Sequence, residues 1–141
     1  MLPESEFFKP SELACKDGTP YPEAWFDRYT ILVLKLADPI RRLWAGPLLV
    51  VSGYRTQAYN DGLIKEGHHP ASQSQHIEGR AMDIAPLNAT PQLVEELHDR
   101  ILDAYLYHQL PYLGGLGLYP GWVHIDTAKS SDGHLRRWNI A

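Results

Sequence analysis

Short apolar runs of strand length, each ending in or carrying a polar residue, constrain this chain more than any other feature. "PLLVVSGYR" (47–55) contains a β-branched, apolar run closed by Ser52-Gly53. "GRAMDIAP" (79–86) reads as a strand that delivers Asp83 to one face while Met82 and Ile84 point to the other. In "WVHIDT" (122–127) the same alternation puts His124 and Asp126 on one face, with Val123 and Ile125 opposite. "LGLYP" (116–120) reads as a further short strand just before it. Strands this short need helices to cover their apolar face, and the sequence supplies them. "TPQLVEELHDRILDAYLYHQ" (90–109) has Thr90 as N-cap, Pro91 at the first helical position and a stripe of Leu93, Leu97, Ile101 and Leu102.

A second helix is predicted from Glu23 to about Ala45, with Trp25, Tyr29, Val33, Leu36, Ile40 and Leu43 at steps of three and four. Pro39 predicts a kink or break near Asp38, and Gly46-Pro47 ends the segment. "TQAYNDGLIKEG" (56–67) is a short helix and "HHPASQSQ" (68–75) a polar loop. Residues 5–22 form an irregular opening with one helical turn at Pro10-Ser11-Glu12. The pattern predicts an α+β fold: one domain over residues 1–141, with a small antiparallel sheet carrying the polar residues and helices packed on it.

Composition narrows the function. A formal net charge of −4 argues against nucleic acid as a partner, because phosphate binding calls for a basic face. Cys15 is the sole cysteine, which excludes an intrachain disulfide framework and a multi-Cys zinc site. The longest apolar stretch, "YTILVLKLADPI", is interrupted by Lys35, Asp38 and Pro39, so no membrane span is expected. "MLPESEFFKP" has no basic region followed by an apolar core; synthesis in the cytoplasm without a signal peptide is expected, with any work outside requiring another exit route.

Of the seven histidines, His98 and His108 read as surface or interfacial residues of the long helix, and His68 and His69 as solvated loop residues. His134 carries no signal. His76 and Asp83 flank a turn at Glu78-Gly79-Arg80, which would let both side chains meet. Imidazole nitrogen and carboxylate oxygen are good zinc ligands, and a catalytic zinc site keeps three protein ligands and a water. From the residues alone, His76, Asp83 and His124 read either as such a set or as ordinary loop and strand residues.

"SGYRTQAYN", "SQHIEGRAMDI" and "GLGLYPGWVHIDT", closed by "RRW", resemble the ordered motifs of the zinc D-alanyl-D-alanine carboxypeptidase family, which includes murein endopeptidases and phage endolysins. The short, single-domain type is the most similar. "FKPSELACKDG" and "ADPIRRLWAGPLLVVSGYR" extend the resemblance over nearly the whole chain. It implies a hedgehog/D,D-peptidase-like fold and a Zn2+ ion held by His76, Asp83 and His124, the first two from an S-x-H-x(6)-D pattern that begins at Ser74. It also implies that Arg55 faces the active site, where zinc and a guanidinium together hold a negatively charged tetrahedral intermediate. Several family members carry a Glu or Asp three residues before the last histidine as general base; here that position is Gly121. Asp126 is then either the general base or a ligand-orienting residue.

Ser74, Tyr54, Tyr119 and Trp122, together with Trp138, would line a cleft for the substrate, core packing being the alternative for the aromatics. The implied activity is that of a zinc metallopeptidase, a D,D-carboxypeptidase or a peptidoglycan endopeptidase, acting as a monomer on a stem peptide or cross-link. A setting in phage or prophage lysis would match the small size. The alternative is a non-catalytic zinc module of the same fold that binds cell wall or protein.

Overall fold

A computed structural model describes residues 1–68 and 73–141. Within the polar loop expected over 68–75, residues 69–72, His69 among them, lie outside the described residues. The strands expected from alternation form at Leu48–Ser52 (β1), Ala81–Pro86 (β2), Gly115–Leu118 (β3) and Val123–Asp126 (β4), joined by Arg136–Asn139 (β5). They build one five-stranded sheet in the order β1-β2-β4-β3-β5. β1–β2, β2–β4 and β3–β4 are antiparallel, but β5 lies parallel to β3. The sheet is therefore mixed rather than wholly antiparallel. β5 runs opposite to β4, and because β3 sits between them, it must run alongside β3 in the same sense.

Between Val50 and Ser52 the β1–β2 register slips, so that Ser52 faces Asp83. Such a bulge bends a strand end and re-aims its side chains. Here it turns the end of β1 and Arg55, just beyond it, toward the sheet face that carries Asp83.

Helices cover the other face. A continuous helical run begins with a 3-10 turn at Glu23–Trp25 and passes through α1 (Phe26–Tyr29), a π-helical stretch Thr30–Ala37 and α2 (Asp38–Trp44). Pro39 does not break it. The Asp38 N–H bonds Val33 O, five residues back, so the widened π turn makes room where the proline ring would otherwise crowd the preceding carbonyl. Ala45, in the left-handed region at φ 57°, ends the run where Gly46-Pro47 was expected to. α3 (Gln57–Lys65) starts at Thr56, whose side chain accepts from Tyr59 N–H. α4 (Pro91–Leu106) starts at the predicted cap, Thr90 accepting from Leu93 N–H at 3.2 Å.

Val94, Leu97, Ile101 and Ala104 of α4 join Tyr29, Leu32, Leu36 and Ile40 in a core that meets Met82, Ile84, Leu116, Val123 and Ile125 of the sheet. Burial of these side chains is the main source of stability, each worth about 1.5–3 kcal/mol relative to exposure. The predicted stripe is rotated slightly: Leu93 and Leu102 are half-buried, and His98, expected as a surface or interfacial residue, is buried beside Leu97 with its ring nitrogen 2.9 Å from Asp99. Among the described residues no helix is long and apolar enough to cross a membrane.

Candidate metal centre

His76 is fixed by the turn that carries it. Ser74 Oγ accepts from His76 N–H at 3.2 Å, Ile77 N–H bonds Ser74 O, and Arg80 N–H bonds Gln75 O. Gly79, at φ 68°, closes the turn beneath the Tyr21 and Trp25 rings, and its carbonyl accepts from Tyr21 Oη at 2.6 Å. The ring is oriented as firmly as the backbone. His76 Nδ1 lies 2.7 Å from Gly53 O, and since a carbonyl only accepts, Nδ1 carries the proton and Nε2 keeps its lone pair. Gly53 is required there, because a Cβ would come within 2.7 Å of the Leu13 backbone.

That lone pair points at Asp83 Oδ2, 3.2 Å away. Burial, the largest influence on His76, disfavours its charged form, so in the neutral ring two acceptors face each other. A cation between them would reconcile the contact. His124 completes the set with Nδ1 3.0 Å from Asp83 Oδ1, the two residues being cross-strand partners on β4 and β2. Donor atoms of His76, Asp83 and His124 all lie within 4.8 Å of one another, and all three residues are buried. Two imidazoles and a carboxylate suit zinc with an open fourth position. Burial works against ionisation of Asp83, yet the facing imidazoles hold its carboxyl below the usual carboxylate range. Burial likewise opposes charge on His124, and hydrogen bonds to Asp126 and Asp83 outweigh it and raise its affinity for protons.

A family model described as Peptidase M15 matches residues 6–126. The chain belongs to the M15 peptidase family. Neither the comparison with curated proteins nor that with solved structures finds a match. Membership supports a metallopeptidase, and the His-Asp-His cluster could hold the metal such an enzyme needs.

In this M15 peptidase the cluster forms the floor of a cleft of about 680 Å³. Arg55, Ser74, Tyr119 and Trp122 line it, as does Trp138. Tyr119 and Trp122 stack with centroids 5.0 Å apart, and Trp138 Nε1 donates to Tyr119 Oη at 3.0 Å. Arg55 is held by Nε to Ser52 Oγ at 3.3 Å, with Nη2 3.7 Å from Asp83 Oδ2. Tyr54 does not join the cleft lining. Its ring packs edge-on against Trp25 at 5.6 Å and Tyr21 at 6.1 Å, on the core side of the same segment. His108 and His134 are exposed and remote from the cluster's lining, whereas His68 stands at the cleft.

Asp126 sits one step beyond the ligands. Its Oδ2 is 2.7 Å from His124 Nε2, while Oδ1 accepts from Ala128 N–H at 3.0 Å and from Arg136 Nη2 in a short ion pair. Burial opposes its charge, and the bonds from His124 and Arg136 more than compensate, keeping the carboxyl below its ordinary value. Arg136 was not among the residues expected to form the site. The signal was present in "RRW" and in the Gly-Leu-Gly-Leu alternation of β3, but it acquires meaning only once β5 is seen beside β3.

Proposed function

We propose that this M15 peptidase is a zinc-dependent hydrolase of a peptide bond in bacterial peptidoglycan. The observation that carries the reading is the convergence of His76 Nε2, Asp83 and His124 Nδ1, buried, at the floor of an open cleft. These three residues would hold the zinc, which supplies a water of lowered pKa and polarises the scissile carbonyl. Arg55, braced by Ser52 and with Nη2 3.7 Å from Asp83 Oδ2, would stabilise the oxyanion that develops on that carbonyl. Tyr119, Trp122 and Trp138 would bind the peptide, and the guanidinium of Arg55 together with Lys16 at the cleft suits the carboxylates that a stem peptide carries.

For Asp126 the geometry supports orientation of His124 over the role of general base. Both its oxygens are committed, one to His124 and the other to Ala128 and Arg136. Among the described residues that line the cleft, Asp83 and Asp126 are the two carboxylates. That scarcity also favours a second reading, a zinc-containing module that binds cell wall without cutting it. Action on the wall after release from the cell, as in phage or prophage lysis, belongs to the same proposal.

Digestion of purified cell walls and of a defined muropeptide, followed by mass spectrometry of the products, separates the readings. Cleavage that stops on chelation, returns with zinc and is lost in His76→Ala is the expected result. Undiminished cleavage after zinc removal would sink the proposal. One equivalent of zinc with retention on wall pellets and no product would favour the binding module.

A further inference from the structure

Every strand of this sheet except one contributes a side chain to the face that carries the cluster. Along one row, Asp83 pairs with His124, His124 with Gly117, and Gly117 with Trp138; along the next, Ala81 pairs with Asp126, Asp126 with Gly115, and Gly115 with Arg136. β3 thus presents glycine at both positions, while its alternate residues, Leu116 and Leu118, lie in the core. A Cβ on Gly117 would come within 2.5 Å of the Trp138 ring. One on Gly115 would come within 2.6 Å of Arg136 Nη2 and closer still to Asp126 Oδ2. Interior glycine weakens a strand, so its use here marks a place where something must approach the backbone closely.

What approaches are the two side chains of the edge strand. Arg136 crosses above Gly115 to pair with Asp126, and its Nε donates to Ala128 O at 3.0 Å, so the guanidinium is fixed at two points. Trp138 crosses above Gly117 and lies with its ring 5.0 Å from that of His124. Asp126, fully buried, passes the constraint on: its carboxylate accepts a hydrogen bond from His124 Nε2–H, which leaves Nδ1 as the nitrogen turned toward Asp83.

We propose that β5 completes the metal centre, with Arg136 as a positioning residue that acts through Asp126, across a glycine-only β3, to set the ring orientation and ligating atom of His124. The inference rests on the metal reading given above. A ligating histidine whose second nitrogen is held by a carboxylate loses about 10–100-fold in metal affinity when that outer partner is removed. Here the outer partner has a partner of its own, and the lysine variant tests whether charge alone suffices: Lys has a single ammonium where Arg has a planar fork.

The test is zinc affinity by chelator competition on the full chain, with the cobalt-substituted visible spectrum as a readout of ligand geometry. Arg136→Gln is expected to weaken zinc binding by about 10–100-fold and shift the cobalt bands, with partial rescue in Arg136→Lys. Affinity within twofold of wild type and an unchanged cobalt spectrum in Arg136→Gln would overturn the inference. Should that variant not fold, the wild-type protein still decides: nitrogen-15 imidazole spectra of the zinc-loaded chain should show His124 ligating through Nδ1 with Nε2 protonated. The reverse assignment would overturn it. Failure of the wild-type chain to bind zinc at all would instead refute the metal reading itself.

Discussion

Replacing Gly79 by alanine tests how tightly the turn that delivers His76 is built. Two separate penalties apply. At φ 68° an alanine Cβ clashes with its own backbone, which costs about 1 kcal/mol. In addition, the new methyl would stand 2.6 Å from Trp25 Cε3 and 2.9 Å from Tyr21 Oη, inside van der Waals contact. Trp25 cannot retreat freely, since it packs edge-on against both Tyr21 and Tyr54 and carries Arg28 over its face at 4.3 Å. Overpacking of this kind costs about 1–3 kcal/mol, so Gly79→Ala should lose about 2–4 kcal/mol.

Gly133 supplies the control. Its φ is 78°, but an added Cβ meets nothing within 4 Å, so Gly133→Ala should show the backbone penalty alone, about 1 kcal/mol. Urea unfolding of both variants in zinc-free buffer, followed by tryptophan fluorescence with m held to the wild-type value, measures the difference. If the two variants agree within about 0.5 kcal/mol, the packing half of the reasoning is wrong.

Arg55→Met should lower kcat by about 10²–10³ while leaving zinc stoichiometry at the wild-type value, because the guanidinium is assigned to the oxyanion and not to the metal; equal kcat in a muropeptide assay would refute that role. Thr90→Ala removes the side chain that caps α4 and should destabilise the fold by about 1 kcal/mol in thermal or urea unfolding. Asp17 is held at about 2, below its ordinary 3.8, by hydrogen bonds from Thr19 first, then Cys15 and Thr56. Because its folded pKa is the lower one, its contribution is fully present above pH 3.8 and is lost as pH falls through about 2. Asp17→Asn should therefore flatten the acid limb of a stability-versus-pH curve over that window, and curves that superimpose there would count against the tie between Asp17 and the α3 cap.

Much of the fold was legible because local chemistry and tertiary packing agree. Thr90-Pro91 caps α4 as the sequence implies, and the alternation in "WVHIDT" buries Val123 and Ile125 while turning His124 to the site. What stayed open in the sequence is what a neighbour decides. Pro39 reads as a kink or a break, and the helical run continues past it because Thr30–Ala37 widens into a π-helix just before. His98 reads as surface or interfacial, and its place four residues from Val94 and three from Ile101 puts it on the buried stripe. β5 has four residues, two of them arginine, and no apolar run; its strand character comes from β3, which it joins in parallel at the sheet edge.

The site divides along the same line. His76, Asp83 and His124 could be nominated from residue type and the turn between the first two, because each brings its chemistry with it. Asp126 and Arg136 could not be ranked that way. Gly121 lies exposed in the turn between β3 and β4 with open space around it, so no packing demand excludes a larger residue there. Asp126, by contrast, is sealed beneath Arg136 and bonded through both oxygens. A general base must reach the attacking water and release its proton again, which an immersed, doubly bonded carboxylate does poorly. An orienting carboxylate must do the opposite: stay ionised, stay put and hold one tautomer. On the proposal above, the glycines of β3 let the edge strand impose that condition, and so the short strand read from "LGLYP" is what would fit Asp126 to orient His124 rather than to accept a proton.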